Sequence, residues 1–130
     1  MGEAADVVRL AVERLNESDL DGFAAPCSPR IRFQDVAEIP SSRLREGPDE
    51  VREWAKGVLE IGPDVRIGIW EATEHGDAGL TDTSTELSGS AGAQMVWRFW
   101  AVWRIREGLV AYHRQYSLRE DALADFEGAA

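Results

Sequence analysis

The residues of this chain that could carry chemistry are few, and one carboxylate stands out among them. Residues 30–36 alternate in character, with Ile31, Phe33 and Asp35 on one side, which is typical of a short β-strand with an apolar face. An acid on that apolar side is unusual. Asp35 is therefore either a functional acid or a residue whose side chain bonds backbone groups in the following loop.

Two histidines and one cysteine complete the set of reactive side chains. His75 lies in a Gly/Asp-rich turn and is expected to be solvated, whereas His113 is either a hydrogen-bond donor in a pocket or a strand residue at a partner interface. These three residues do not have the spacing of a zinc site. The chain contains no phosphate-binding loop and no G-x-S-x-G motif. We expect no metal and no cofactor.

Aromatic residues are concentrated near the end of the chain. Residues 94–117 contain six of the eleven aromatics and read as two long strands joined by a turn at Glu107 and Gly108. In the first strand one face carries large rings with a small residue between them, and the other face mixes rings with arginine. The first face comprises Trp97, Phe99, Ala101, Trp103 and Ile105, and the second comprises Val96, Arg98, Trp100, Val102 and Arg104.

The elements that must position these residues follow from periodicity and turn signals. Helices precede a run of antiparallel strands, which predicts an α+β fold. Without repeats or linkers, residues 1–130 are expected to form a single domain. The predicted elements are a helix at 3–17, a short helix after Ser18, a strand at 30–36, an irregular loop at 37–46, a helix from 47 to 62, strands at 65–74 and 80–87, the long hairpin, and a short helix after Ser117.

Charge and composition exclude several classes of partner. The net charge of −10 should repel nucleic acid and anionic membrane surfaces. No apolar run is long enough to span a membrane. Cys27, the single cysteine, cannot form an internal disulfide, so nothing indicates an oxidising compartment. The N-terminus is acidic and lacks the features of a signal peptide. We expect a cytoplasmic protein.

In its order of motifs the chain resembles the nuclear-transport-factor-2-like superfamily, in its SnoaL-like (polyketide cyclase-like) branch, over residues 4–126. The resemblance implies a cone, a strongly curved antiparallel sheet wrapped around a long helix with a pocket inside. Members include steroid isomerases, polyketide cyclases, epoxide hydrolases and binding domains, so the fold alone does not give the function. The residues that carry the resemblance are 19–23 (DLDGF), 33–35 (FQD), Gly47, Val51, Trp54, 102–108 (VWRIREG), Tyr116 and 120–123 (EDAL).

The chain lacks the catalytic residues of two reactions that members of the family carry out. Asp35 falls at the general base of the steroid isomerases, but the tyrosine and acid of their oxyanion hole fall on Ala11 and near Ala101. The loss of one such donor typically slows a reaction ~10²–10³-fold. The epoxide-hydrolase acids fall on Thr83, Thr85 and Gln115, which leaves no carboxylate base of that type. A polyketide-cyclase mechanism, with an acid as general base and a histidine nearby, fits Asp35 and His113.

The register of the hairpin decides which polar groups face the pocket. A three-residue loop at 106–108 would pair Ala101 with His113 and Phe99 with Gln115, so that His113 and Gln115 face inward. A two-residue loop would instead turn Tyr112 inward. The family's inward positions favour the first register. The predicted ligand-binding residues are Trp54, Trp97, Phe99, Trp103, His113 and Gln115.

The outer face of the hairpin has the composition of an interface, with tryptophan, tyrosine and arginine. We therefore expect a homodimer through this face. Three functions stay open: a domain that binds a small apolar molecule, a cofactor-independent cyclase or isomerase with Asp35 as general base, and a non-catalytic dimerisation module. The predicted dimer residues are Val96, Arg98, Trp100, Val102, Tyr112 and Arg114.

Overall fold

The computed structural model describes residues 3–62, 64–88 and 94–128. Within these residues, four helices and a curved six-stranded sheet confirm the predicted α+β class. In chain order the elements are α1 (Glu3–Asn16), α2 (Leu20–Ala24), β1 (Cys27–Gln34), β2 (Leu44–Glu46), α3 (Pro48–Leu59), β3 (Arg66–His75), β4 (Ala78–Ser88), β5 (Gln94–Arg106), β6 (Leu109–Tyr116) and α4 (Arg119–Glu127).

The sheet is mixed, which corrects the expectation of a purely antiparallel sheet. Its strand order is β2-β1-β6-β5-β4-β3. All neighbours are antiparallel except β1 and β6, which run in the same direction. Five elements separate β1 from β6 in the sequence, so the two strands are not joined by a hairpin. Turn signals could therefore not predict their relative direction.

The edge strand β2 was not expected, and it corrects the prediction of an irregular loop at 37–46. It pairs antiparallel with β1, with Arg45 opposite Phe33. Three residues are too few to show the alternation by which strands are recognised in a sequence. The strand matters for function because it places Arg45 beside the inner face of β1.

Helices α1, α2 and α3 cover the concave inner face of the sheet. The predicted stripe Ala4, Val8, Ala11 and Leu15 of α1 is buried against it. Helix α3 begins with Pro48 at its first position. Proline is tolerated there because the N–H group that it lacks would have no partner within the helix. These helices and the inner sheet face enclose the main apolar core.

Helix α4 packs on the opposite, outer face of the sheet, where its Ala122 and Phe126 meet residues of β4 and β5. Asp125 of this helix accepts hydrogen bonds from the hydroxyl groups of Tyr112, at 2.6 Å, and Tyr116, at 2.7 Å. The same carboxylate pairs with Arg104. The outer face therefore has a small core of its own, held by one polar cluster, which we call the Asp125 cluster.

The β5–β6 hairpin shows a register that neither sequence alternative described. Glu107 and Gly108 form a two-residue turn, and both have positive φ angles, as such turns require. Ile105 pairs with Val110 and Arg104 with Tyr112, so Ala111 is the extra residue of a β-bulge.

The predicted pairs Ala101–His113 and Phe99–Gln115 are wrong, since His113 lies opposite Trp103 and Gln115 opposite Ala101. Their predicted inward direction is nevertheless observed, and both side chains are buried. A two-residue turn alone would have pointed His113 and Gln115 toward the outer face, and the extra residue of the bulge returns them to the inner face.

Candidate functional site

A cavity of about 650 Å³ lies between the inner sheet face and the helices. Its body is apolar, and rings and aliphatic chains from α1, α2, α3, β1, β3 and β5 line it. Polar side chains reach it from β2, β4, β6 and the segment that follows β1. All six residues predicted to bind a ligand line it, namely Trp54, Trp97, Phe99, Trp103, His113 and Gln115.

Four packed rings form one wall of this cavity. His113 stacks on Phe33 with ring centroids 4.3 Å apart, and it packs edge to face with Trp103 at 4.2 Å between centroids. Trp54 of α3 packs on Phe33 at 4.6 Å. Such contacts restrict each ring to one orientation and make a preformed surface for a flat apolar molecule.

His113 is buried and neutral. Burial lowers the pKa of His113 from its usual 6.5 to about 3, because a charged imidazolium would lose its water in this apolar surrounding. The side-chain nitrogen of Gln115 lies 3.0 Å from Nε2 of the ring. With Gln115 as donor, the neutral ring carries its proton on Nδ1. Among the described residues, Nδ1 has no hydrogen-bond partner.

Asp35 lies just past the end of β1, with its side chain on the cavity side. It is 5% exposed, and its Oδ1 atom accepts no hydrogen bond from the described part of the chain. This oxygen therefore does not bond to amides of the following loop, which was one of the two interpretations from the sequence. The backbone carbonyl of Asp35 is instead the group tied to the loop, through Gln34 Nε2 at 3.2 Å and Ser42 Oγ at 3.4 Å.

Arg45 is the partner that the sequence did not reveal. Its Nη1 lies 3.2 Å from Asp35 Oδ1, close enough for an ion pair although no hydrogen bond forms between them. The same nitrogen donates to the carbonyl oxygen of Arg43 at 3.1 Å. Arg45 is 8% exposed and also lines the cavity. Only the unforeseen strand β2 brings it there, and three residues of sequence gave no sign of that strand.

The residues predicted for a dimer interface divide into two groups. Val102 is fully buried beneath α4, and Tyr112 is half-buried and bonded to Asp125, so both already have partners within the chain. Trp100 also packs against this outer core. Val96, Arg98 and Arg114 are exposed. The homodimer itself stays a prediction.

Neither a side-chain cluster suited to a metal ion nor a membrane-spanning helix is found among the described residues. The described residues contain no group of three or more His, Cys, Asp or Glu side chains placed to hold a metal ion. None of the helices in the described ranges is both long and apolar enough to cross a bilayer.

The sequence matches the family model of the SnoaL-like domain over residues 8–113, and the chain belongs to this family. This confirms the resemblance drawn from the motifs. A search of curated proteins gave no match.

Solved structures with the same fold are similar over nearly the whole chain. One is an NTF2-like protein of unknown function from Burkholderia pseudomallei, with 19% identity, a TM-score of 0.74, and coverage of 97% of this chain and 98% of that one. A protein assigned to the SnoaL-like polyketide cyclases, from Jannaschia sp., has 12% identity, a TM-score of 0.73 and coverage of 98% and 93%. TerC, co-crystallised with polyporic acid, has 14% identity, a TM-score of 0.75 and coverage of 98% and 100%. At these identities the likeness establishes the fold and leaves the activity open.

Proposed function

We propose that this protein binds a small, largely apolar molecule in the cavity between the helices and the inner sheet face. The volume of about 650 Å³ lies within the range of small-molecule sites. The ring wall of Phe33, Trp54, Trp103 and His113 suits a flat ring system. The co-crystallisation of TerC, a protein of the same fold, with polyporic acid supports a small-molecule ligand for this fold.

The observation that carries the proposal is a large apolar cavity whose wall also holds buried polar side chains, namely Asp35, Arg45, His113 and Gln115. Burying polar groups beside an apolar space costs free energy, and a purely structural core avoids that cost. A bound molecule that pairs with the accessible atoms of these side chains would recover part of it.

A thermal-shift screen with steroid-, polyketide- and terpenoid-like molecules tests the proposal. A ligand present at about 100 times its Kd should stabilise the fold by ~2.7 kcal/mol. Trp97→Ala, at the cavity, should weaken that effect, because Trp97 is 45% exposed and its loss removes ligand contact with little cost to the core. Trp70→Ala is the matched control, since Trp70 lies on the outer face and is 61% exposed. Silence of every ligand would contradict the proposal.

A second candidate function is cofactor-independent catalysis of the cyclase or isomerase type, with Asp35 as general base. The observation in its favour is that Asp35 is a buried carboxylate that lines the cavity. Such a base would take a proton from a carbon beside a carbonyl group and return it at another position. His113 would assist as a neutral hydrogen-bond donor, because its pKa of about 3 excludes an imidazolium at pH 7.

Asp35→Asn distinguishes the two candidates. It keeps the shape of the side chain and an amide oxygen that still accepts a hydrogen bond, so the ligand should still bind, while any turnover that depends on the base should disappear. Substrate consumption and ligand affinity are measured on the same preparations. Turnover that survives in Asp35→Asn would exclude the catalytic role.

We also propose a homodimer through the part of the outer face that α4 leaves uncovered. This part carries Trp70, which is 61% exposed, Val96, which is 47% exposed, and Arg98, whose guanidinium lies 4.6 Å from the Trp70 ring. Light scattering at micromolar concentration should give twice the mass of one chain, and Val96→Glu should halve it. A monomer in the wild type would contradict this and would also remove the alternative of a non-catalytic dimerisation module.

A cytoplasmic location is proposed with the function. Its support is the single cysteine, Cys27, which is buried and free of any disulfide. Burial raises the pKa of its thiol to about 12, so the thiol is inert at neutral pH. A fluorescent fusion that remains with the membrane fraction would contradict the location.

A further inference from the structure

We propose that Asp35 and Arg45 together recognise two adjacent oxygens on the ligand, a hydroxyl that donates to Asp35 and a second oxygen that accepts from Arg45. The inference rests on the proposed binding function and assigns the chemical class of the ligand. The ligand is then an apolar ring system with oxygens on neighbouring carbons, such as a vicinal dihydroxy arene or an enol beside a carbonyl.

The first support is that both charges are buried at the same cavity. Asp35 is 5% exposed and Arg45 8% exposed, and both line the cavity beside its apolar body. Buried ion pairs are weak contributors to stability, and apolar residues of similar volume often replace them without loss. A role in recognition explains the pair better than a role in folding.

The second support is that the pair leaves atoms of both partners unused. Asp35 Oδ1 is enclosed against Arg45, whereas Oδ2 is not enclosed and no hydrogen bond is found for it among the described residues. An arginine has five N–H donors in a planar fork, and the hydrogen bond found for Arg45 among the described residues uses Nη1 alone, to the carbonyl of Arg43. One carboxylate oxygen and the remaining guanidinium donors are therefore available to a ligand.

The third support is their separation. Because Asp35 Oδ1 and Arg45 Nη1 meet at 3.2 Å, the remaining carboxylate oxygen and the remaining guanidinium nitrogens are also close together, and ligand atoms that bond to both groups must be neighbours. Because the two charges cancel, the site has little net attraction for an anion, and a neutral molecule that offers one donor and one acceptor fits it best.

The position of the pair is fixed by the surrounding structure. Arg45 is held opposite Phe33 by the pairing of β2 with β1. Gln34 Nε2 donates to Ser42 Oγ at 2.7 Å and to the carbonyl of Asp35, which fixes the loop between the two strands. Arg43, the other arginine nearby, pairs with Glu50 at 3.6 Å and does not compete for Asp35.

The test compares Kd values for three probes of one ring system, naphthalene, 2-naphthol and 2,3-dihydroxynaphthalene, with 2-naphthoate as the anionic probe. Wild type should bind the dihydroxy probe roughly 10- to 100-fold more tightly than 2-naphthol, as expected for one additional hydrogen bond to a charged group. Arg45→Met should bring that ratio close to one and leave the affinity for naphthalene unchanged. Arg32→Met is the matched control on the neighbouring strand, because Arg32 is exposed and does not line the cavity; it should keep the wild-type ratio.

The ratio is measured within each preparation, so a reduced folded fraction does not affect it. If Arg45→Met does not fold, Arg45→Lys replaces it. Lysine keeps the charge but not the planar fork, and the ratio should fall several-fold. A ratio unchanged in these variants, or a preference of wild type for 2-naphthoate, would overturn the inference while leaving the binding function in place. If none of the four probes binds, the binding function itself fails and this inference fails with it.

Discussion

On the outer face of β5 and β6, polar side chains converge on Asp125 of α4, whereas on the inner side of the sheet polar side chains line a cavity. In the Asp125 cluster, one carboxylate accepts from two tyrosine hydroxyls and pairs with Arg104. On the inner face, Asp35 Oδ1 and His113 Nδ1 have no hydrogen bonds within the described residues. Both faces carry buried or half-buried polar side chains, but those of the Asp125 cluster bond to Asp125, whereas Asp35 and His113 line the cavity.

This difference separates the tasks of the two faces. A buried polar group that is fully bonded contributes to stability, and one left unpaired costs free energy until a ligand binds. The outer cluster also contains one buried atom without a hydrogen bond among the described residues, Arg104 Nη1. Even so, the comparison predicts that substitutions in the outer cluster should change stability alone, while substitutions on the inner face should change ligand binding as well as stability.

The largest effect is expected where the inner pair is broken on one side only. Arg45→Met leaves a buried carboxylate uncompensated and should lower the free energy of unfolding by about 3 kcal/mol. The double variant Asp35→Leu/Arg45→Met removes both charges and should recover most of that loss. Urea denaturation of wild type, single and double variants measures both effects. A double variant as unstable as the single one would mean that the pair holds the fold.

A somewhat smaller loss is expected from the outer cluster. Asp125→Ala removes the acceptor that Tyr112 and Tyr116 share and the partner of Arg104, so unfolding should become easier by about 2–3 kcal/mol. Glu127→Ala, an exposed acid of the same helix, is the control and should stay within about 0.5 kcal/mol of wild type. Ligand affinity should be equal in both variants, and a change in affinity would break the separation of the two faces.

The third prediction concerns acid stability and His113. Its pKa is about 3 in the folded protein against a usual 6.5, so between these pH values the unfolded state binds a proton that the folded state does not. Stability is therefore lost as the pH falls from 6.5 toward 3, by up to about 1.4 kcal/mol per pH unit from this residue.

His113→Gln should flatten the dependence of unfolding free energy on pH over this window. His75→Gln, at the exposed end of β3, is the matched control. Denaturation curves at a series of pH values give the slopes directly. Equal slopes in wild type and His113→Gln would show that His113 is not held neutral in the folded protein.

The smallest effect is that of a single hydroxyl in the outer cluster. Burial and the hydrogen bond to Asp125 raise the pKa of Tyr116, so the phenol stays protonated and acts as a donor across the physiological range. Tyr116→Phe should cost about 1 kcal/mol. Combined with Tyr112→Phe, the losses should not add, because both hydroxyls share one acceptor. Strict additivity in a double-mutant cycle would contradict a shared cluster.

Much of the fold and of the site's aromatic wall could be predicted from the sequence, because alternation along a strand is a local property. Period two placed Trp97, Phe99 and Trp103 on one face of a strand, and the family resemblance indicated that this face points inward. The direction of His113 and Gln115 was right although the pairing was wrong. A bulge at Ala111 left no signal beyond a small residue among large ones.

What could not be predicted depends on contacts between distant parts of the chain. Arg45 belongs to a three-residue edge strand that exists because β1 offers it a partner. The parallel contact of β1 with β6, and the cover that α4 gives to Val102, are likewise set by the packed structure. The residue now assigned to ligand recognition was therefore missed for the same reason as the strand that carries it.

The five tryptophan side chains offer the most direct test of the central claim that the inner face binds a small molecule. Trp54, Trp97 and Trp103 line the cavity, while Trp70 and Trp100 lie on the outer face. Titration of 2,3-dihydroxynaphthalene into ¹⁵N-labelled protein, followed by the indole N–H resonances, reads both faces at once. The account predicts that the resonances of the three inner indoles shift and those of the two outer indoles do not. Shifts confined to the outer pair, or none at all, would contradict it.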